Sequence, residues 1–171
     1  LPSAFLPFQG MPLIEKLIKD VESLENLYFE KFGKQILSPI CFMTSEAKEN
    51  HKRILQYLEE NHYFQRPKEK FFLFSQISVP LITIEGNFAI DEPGILALKP
   101  GGHGVLWKMM KEQKVFSFFY KNHCTKALVR QINNPLANTD TTLLCLLGYG
   151  CKEEKEMGFA TCDRLIGSAE G

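Results

Sequence analysis

The run Lys99-Pro100-Gly101-Gly102-His103-Gly104-Val105-Leu106-Trp107-Lys108 sets a glycine-rich turn against the start of a helical pattern. Glycines let a backbone approach a ligand closely, and the free N–H groups at a helix start receive polar or anionic groups. That chemistry suits a nucleotide or a sugar phosphate. The same glycines also suit a plain structural loop, so the neighbouring residues must decide. Three further polar motifs, Thr44-Ser45, Ser75-Gln76 and Gln131-Ile132-Asn133-Asn134, each follow an apolar run that reads as a strand.

The elements that would position these motifs follow from periodicity. Pro12 suits a first helical turn, and Leu13, Ile14, Leu17, Ile18, Val21, Leu24 and Tyr28 recur at helical spacing up to Gly33. Within that helix, Glu25-Asn26-Leu27-Tyr28-Phe29-Glu30 is similar to a tag-protease site, but Glu stands where Gln is usual. It is read as native helix. Gln35 to Met43 predicts a buried strand, Thr44 or Ser45 a helix cap, and Ala47, Ile54, Leu55 and Leu58 the face of a second helix. Phe71 to Phe74 predicts a strand, and Leu81–Ile84 with Asn87–Ile90 a hairpin turning at Glu85-Gly86. Ile95 to Leu98 leads into the glycine turn, and Val105, Leu106, Met109 and Met110 face the core from the next helix. Lys126 to Ile132 and Met157 to Cys162 read as strands, and Asp140 as the cap of a helix carrying Leu143, Leu144, Leu146 and Leu147. Alternating strands and helices predict an α/β sheet, whose ligands sit beyond the carboxyl ends of the strands. All four motifs fall there, so one sheet edge can gather them into a single pocket.

Composition narrows the class of function. The 171 residues are 44% hydrophobic and include 14 Phe, enough for a packed core. Twenty basic residues balance twenty acidic ones, so no wide basic field exists for nucleic acid or an anionic membrane. No apolar run reaches the ~20 residues of a membrane-spanning helix. Five cysteines, Cys41, Cys124, Cys145, Cys151 and Cys162, lack close-set pairs, which argues against a disulfide framework or a zinc site. The chain opens at Leu1 and closes at Ser168-Ala169-Glu170-Gly171, and reads as an internal piece of a longer protein.

Met43-Thr44-Ser45, Phe74-Ser75-Gln76 before Val79-Pro80, and Lys99 to Gly104, in this order and spacing, resemble the UDP-sugar pyrophosphorylases. These are UTP-dependent sugar-1-phosphate uridylyltransferases. Leu27-Tyr28-Phe29, Gly33-Lys34-Gln35, Val129-Arg130-Gln131 and Gly158-Phe159-Ala160 are similar to the chloroplast-type plant and chlamydial UDP-glucose pyrophosphorylases. The resemblance implies a Rossmann-like nucleotidyltransferase fold with a mostly parallel mixed sheet flanked by helices. Residues 1–171 would be the central part of its catalytic domain, without the N-terminal glycine-rich loop and the C-terminal region. UTP, a sugar 1-phosphate and a UDP-sugar are the implied partners, Mg²⁺ the implied cofactor, and the cytoplasm or a plastid stroma the implied location.

Residue by residue, the resemblance implies that Gln76 and Gly102, with Gly101 beside them, recognise uracil. A side-chain amide has a donor and an acceptor for that purpose. His103 would contact the sugar or its phosphate, Gln131 and Asn133 would sit where sugar- and metal-contacting residues lie, and Lys99 would face a phosphate; capping for His103 and plain solvation for Lys99 remain open. The family's Asn-x-Asp departs here to Gln131-Ile132-Asn133, so Asn133 stands where a Mg²⁺-holding Asp is usual, and Asp140 is the nearest acidic alternative. Asparagine is a poor ligand for a hard cation. No residue of this segment is expected to be catalytic in itself, and the segment alone should be inactive. The expected reaction is attack of a sugar 1-phosphate, most simply glucose 1-phosphate, on the α-phosphorus of UTP with loss of pyrophosphate. A non-catalytic nucleotide-sugar binder and a UDP-N-acetylglucosamine pyrophosphorylase are the alternatives. Cys41 reads as core, and His51, His62 and His123 as surface or packing residues.

Overall fold

A computed structural model describes residues 2–134, 141–161 and 167. A short hairpin of β1 (Pro7–Phe8) and β2 (Met11–Pro12) leads into helix α1 (Leu13–Phe32). Gly33 ends that helix in the left-handed region, φ 64°, and its N–H reaches the Phe29 carbonyl at 2.7 Å. Both bounds are those that Pro12 and Gly33 predict.

Strands β3 (Ile40–Thr44) and β4 (Phe71–Ser75) pair in parallel, Ile40 opposite Phe71 and Thr44 opposite Ser75. Side-chain alternation then sorts the residues between two faces. Ile40, Phe42, Phe71 and Leu73 join Ile14 and Ile18 of α1 and Ile54 and Leu58 of α2 (Asn50–Glu60). Cys41, Met43, Phe72 and Phe74 pack instead on Met109 and Met110 of α3 (Leu106–Glu112) and on Val115 and Phe119 of α4 (Val115–Lys121). Helices therefore cover both faces of a parallel strand pair, and the chain is mixed α/β as the alternation predicts.

The remaining strands are smaller than the sequence predicts. β5 (Ser78–Pro80) pairs antiparallel with β8 (Leu98–Pro100), and β6 (Ile90–Glu92) with β7 (Ile95–Leu96). Among the described residues the strands thus form two-stranded pieces, and only β3 with β4 is parallel. The predicted hairpin at Glu85-Gly86 is present as an isolated Ile82–Phe88 bridge closed by the Gly86 N–H on the Thr83 carbonyl. Lys126 to Ile132 is not a strand, nor are residues 157–161; Cys162 lies outside the described residues. A strand needs a neighbouring ladder, and residues 126–132 instead border a cavity that β3 also borders. Helix α5 (Thr141–Lys152) forms as expected, while its proposed cap Asp140 lies outside the described residues. Ala47 belongs to a 3₁₀ turn ahead of α2 and is exposed. No described helix is long and apolar enough to cross a membrane.

The link from α2 to β4 is strained. His62, Tyr63, Phe64 and Gln65 all hold left-handed φ values between 50° and 59°. For residues with a side chain that conformation costs roughly 1–2 kcal/mol each. Tyr63 and Phe64 offset part of it by packing on the core, Tyr63 against Phe71 at 5.6 Å and Phe64 against Tyr57 at 6.1 Å between ring centroids. Arg66 pins the chain immediately after the turn. Its guanidinium grips Glu25 of α1 in a fork, Nη1 to Oε2 at 2.7 Å and Nη2 to Oε1 at 2.9 Å, and also donates to the Ser38 carbonyl. Glu25 in turn accepts the Ser38 N–H, and both side chains are nearly inaccessible, at 3% and 5% exposure. Burial by itself raises the Glu25 pKa, but Arg66 and the Ser38 amide outweigh it and hold the carboxyl below its ordinary range.

Arg66→Met should destabilise the protein by about 3–5 kcal/mol, because it strands a buried carboxylate. Glu25→Leu with Arg66→Met should recover only part of that, since both Ser38 backbone groups still lose a partner. Because the folded pKa of Glu25 is depressed, its contribution is complete above the unfolded value near 4.5 and fades as pH falls through the folded one. Denaturant midpoints for wild type and Glu25→Gln should therefore differ most near neutrality and converge in acid.

Candidate functional site

Three polar segments converge past the carboxyl ends of β3 and β4. Gln76 follows β4 directly, and its backbone N–H donates to the Thr44 carbonyl at 2.9 Å. The β5–β8 pairing, with Ser78 opposite Pro100, returns the chain so that Gly101 and Gly102 lie beside Gln76. The Gly102 N–H then donates to Gln76 Oε1 at 2.8 Å. Two residues expected to share one ligand are thus in direct contact.

Glycine is required at both turn positions, for different reasons. Gly102 has φ 83° and ψ −173°, a region essentially closed to other residues. A Cβ on Gly101 would lie 2.9 Å from Val105 Cγ1 and 3.2 Å from the Ile77 carbonyl, to which Gly101 itself donates. His103 opens the 3₁₀ turn that leads into α3 and is exposed.

A cavity of about 1080 Å³ is lined by Gln76, Gly102, His103, Gln131 and Asn133, with Pro100, Met43 and Phe119 adding apolar surface. Residues 126–134 reach it as irregular chain. Arg130 anchors them on Asp20 of α1 at 3.4 Å, and Ile132 packs on the core. Lys99 lies exposed on β8, and neither it nor Gly101 lines the cavity. Asp140 lies outside the described residues. Among the described residues no group of three or more His, Cys, Asp or Glu side chains is placed to hold a metal ion. Cys41 borders the cavity too, but burial, with Cys124 nearby, pushes its thiol up to about 12. It stays protonated at neutral pH and is no nucleophile.

Two expectations need correction at the strand ends. Thr44 and Ser45 are buried, but neither caps α2 with its side chain. Thr44 instead donates its hydroxyl to the Phe74 carbonyl at 3.1 Å and lies 2.7 Å from His51 Nδ1. His51, read from the sequence as a surface or packing residue, belongs to a cluster with Thr44, Ser75 and Glu46. Gln113 completes it by bonding both backbone groups of Ser75. Sequence spacing conceals this cluster; the one available signal was that Thr44 and Ser75 each end a predicted strand.

Known proteins show the family to which this chain belongs. Residues 17–165 match the profile of the family described as UTP–glucose-1-phosphate uridylyltransferase. The whole chain is 42% identical to the UTP–glucose-1-phosphate uridylyltransferase 3, chloroplastic, of Arabidopsis thaliana, of which it covers 20%. Over 111 residues, 59% of the chain, it is 42% identical to a probable UDP-N-acetylglucosamine pyrophosphorylase of Dictyostelium discoideum, covering 22% of that protein. The chain thus spans about a fifth of the length of these relatives. Among solved structures, a putative UDP-N-acetylglucosamine pyrophosphorylase from Entamoeba histolytica superposes with a TM-score of 0.63 at 23% identity, over 72% of this chain and 31% of that one. At that identity the likeness speaks for the fold.

Gly102→Ala should cost about 1–3 kcal/mol through backbone strain and should also break the contact with Gln76. A thermal melt, read beside hydrogen exchange of the residue-102 amide, checks both effects.

Proposed function

The chain belongs to the UTP–glucose-1-phosphate uridylyltransferase family, and on that premise we propose that its protein joins a sugar 1-phosphate to UMP from UTP, releasing pyrophosphate. In this reading residues 1–171 are the central part of a Rossmann-like nucleotidyltransferase domain, and glucose 1-phosphate is the first candidate substrate. The observation that carries it is the Gln76–Gly102 contact on the wall of a cavity shared with His103, Gln131 and Asn133.

The chemistry of this pair suits uracil. The base edge presents an N–H flanked by two carbonyls, so it asks for an acceptor between donors. Gln76 Oε1 is that acceptor, and its Nε2 and the Gly102 N–H are the donors. With no base bound, the acceptor and the Gly102 donor satisfy each other, and binding exchanges that bond for bonds to the base. Cytosine reverses the pattern at the central nitrogen and at one exocyclic group, which leaves buried polar groups mismatched and favours UTP over CTP.

His103 and Gln131 offer polar groups on the same wall for the sugar and its phosphate. The transfer needs no covalent intermediate; bringing two anions together in line is the main task, and this segment contributes the base and sugar side of that alignment. Mg²⁺ does not fit the described residues. Asn133 is a neutral amide, and no carboxylate cluster stands near it among them. The role of this segment is accordingly recognition. The chloroplastic relative supports a plastid stroma as its place, with the cytoplasm as the alternative.

A second reading, transfer to N-acetylglucosamine 1-phosphate, is favoured by the 42% identity to the Dictyostelium protein. Pyrophosphate release by the full-length protein, with UTP and each sugar phosphate in turn, separates the two. Turnover with glucose 1-phosphate is expected; turnover with neither, in a folded protein that binds UDP-glucose, would turn the reading to a non-catalytic binder. Gln76→Ala should raise the KM for UTP about three- to tenfold, the value of one or two hydrogen bonds.

A further inference from the structure

We propose that His51 is a positioning residue for Gln76, acting through the hydroxyls of Thr44 and Ser75; this rests on the reading that Gln76 and Gly102 hold the base.

The protons in the cluster can be assigned one by one. Thr44 Oγ1 lies 3.1 Å from the Phe74 carbonyl, which can only accept, so the Thr44 proton is committed there. Ser75 Oγ faces the Glu46 carboxylate in the same way, and its proton is committed to that oxygen. Each hydroxyl oxygen then has only lone pairs to offer, and both face His51 Nδ1, at 2.7 Å and 3.2 Å. In this arrangement Nδ1 carries the proton and shares it between them. The two oxygens are 3.4 Å apart.

This assignment rules out a nucleophilic serine. An activated Ser75 would pass its proton to the imidazole, but here the imidazole donates and the serine proton points to Glu46. What the cluster does is mechanical. It ties the first turn of α2, where the His51 N–H also meets the Ser45 carbonyl at 3.0 Å, to the last residues of β3 and β4. Gln76 is the next residue of the chain, and its own N–H rests on the Thr44 carbonyl at 2.9 Å. Gln113 fixes the Ser75 backbone from the other side. The direction in which Gln76 leaves the strand, and with it the bond to the Gly102 N–H, is set by these contacts.

The test compares His51→Leu with His51→Asn in the full-length protein. The Asn amide N–H occupies nearly the position of Nδ1–H, whereas Leu offers no donor. His51→Leu should speed hydrogen exchange at the Gly102 amide about tenfold and raise the KM for UTP about three- to tenfold, with kcat held within about twofold. His51→Asn should restore both. Should His51→Leu fail to fold, His51→Gln, whose donor sits nearer the place of Nε2, serves as the disruptive variant and should behave as Leu does. Unchanged Gly102 exchange in the disruptive variant, or no rescue by a folded His51→Asn, would overturn the inference. A wild-type protein that never turns over UTP would count against the uridylyltransferase reading instead, and the Gly102 exchange would still decide the role of His51.

Discussion

A buried fork between Arg66 and Glu25 holds down a stretch of chain that would not otherwise keep its shape. The left-handed turn at His62–Gln65 precedes Arg66, and β4 begins only a few residues later. If that turn relaxed, β4 would be free to shift along β3. A shift of one residue would carry Phe74 to the opposite face and take Ser75 away from Thr44. The core on both faces and the polar cluster beyond the strands therefore share one anchor, on the buried face of α1 that also carries Ile14 and Ile18. Such a pair contributes little relative to a well-packed apolar replacement, but its loss is expensive, so its consequence is a fixed register more than a large net stability.

From that register the site follows by short steps. Parallel pairing puts two strand ends side by side, and each ends in a hydroxyl residue. His51 and Gln113 lock those ends, the chain turns at Gln76, and the β5–β8 pair brings the glycines back within reach. Basic and acidic residues balance, so the chain carries no net charge to attract the anionic substrates. The proposed recognition rests on short-range donors and acceptors that the fold brings together without a ligand.

Much of this was legible in the sequence, for reasons that can be named. Pro12 and Gly33 mark the ends of α1 because one lacks an N–H and the other tolerates left-handed φ. Apolar alternation exposes β3 and β4, and the residues just past them are where an α/β sheet places its ligands. The bond between Gln76 and Gly102 is of another kind: the resemblance named the two residues, while their contact needed the β5–β8 fold-back. Lys126 to Ile132 was misread because its composition suits a strand but a strand also needs a neighbour, which composition does not supply. Glu25 and Arg66 look like surface charges, being 41 residues apart with no periodic relation. His51 was passed over because its partners are hydroxyls, not the carboxylate or thiol by which a functional histidine is usually recognised.

The central claim is that Gln76 and Gly102 together read a uracil edge. A structure of the full-length protein with UDP-glucose bound tests it most directly. The account predicts the uracil ring against the glycine turn, with the Gln76 amide and the Gly102 N–H both within hydrogen-bond distance of the base. A base seated elsewhere, with the Gln76–Gly102 bond untouched, would contradict it.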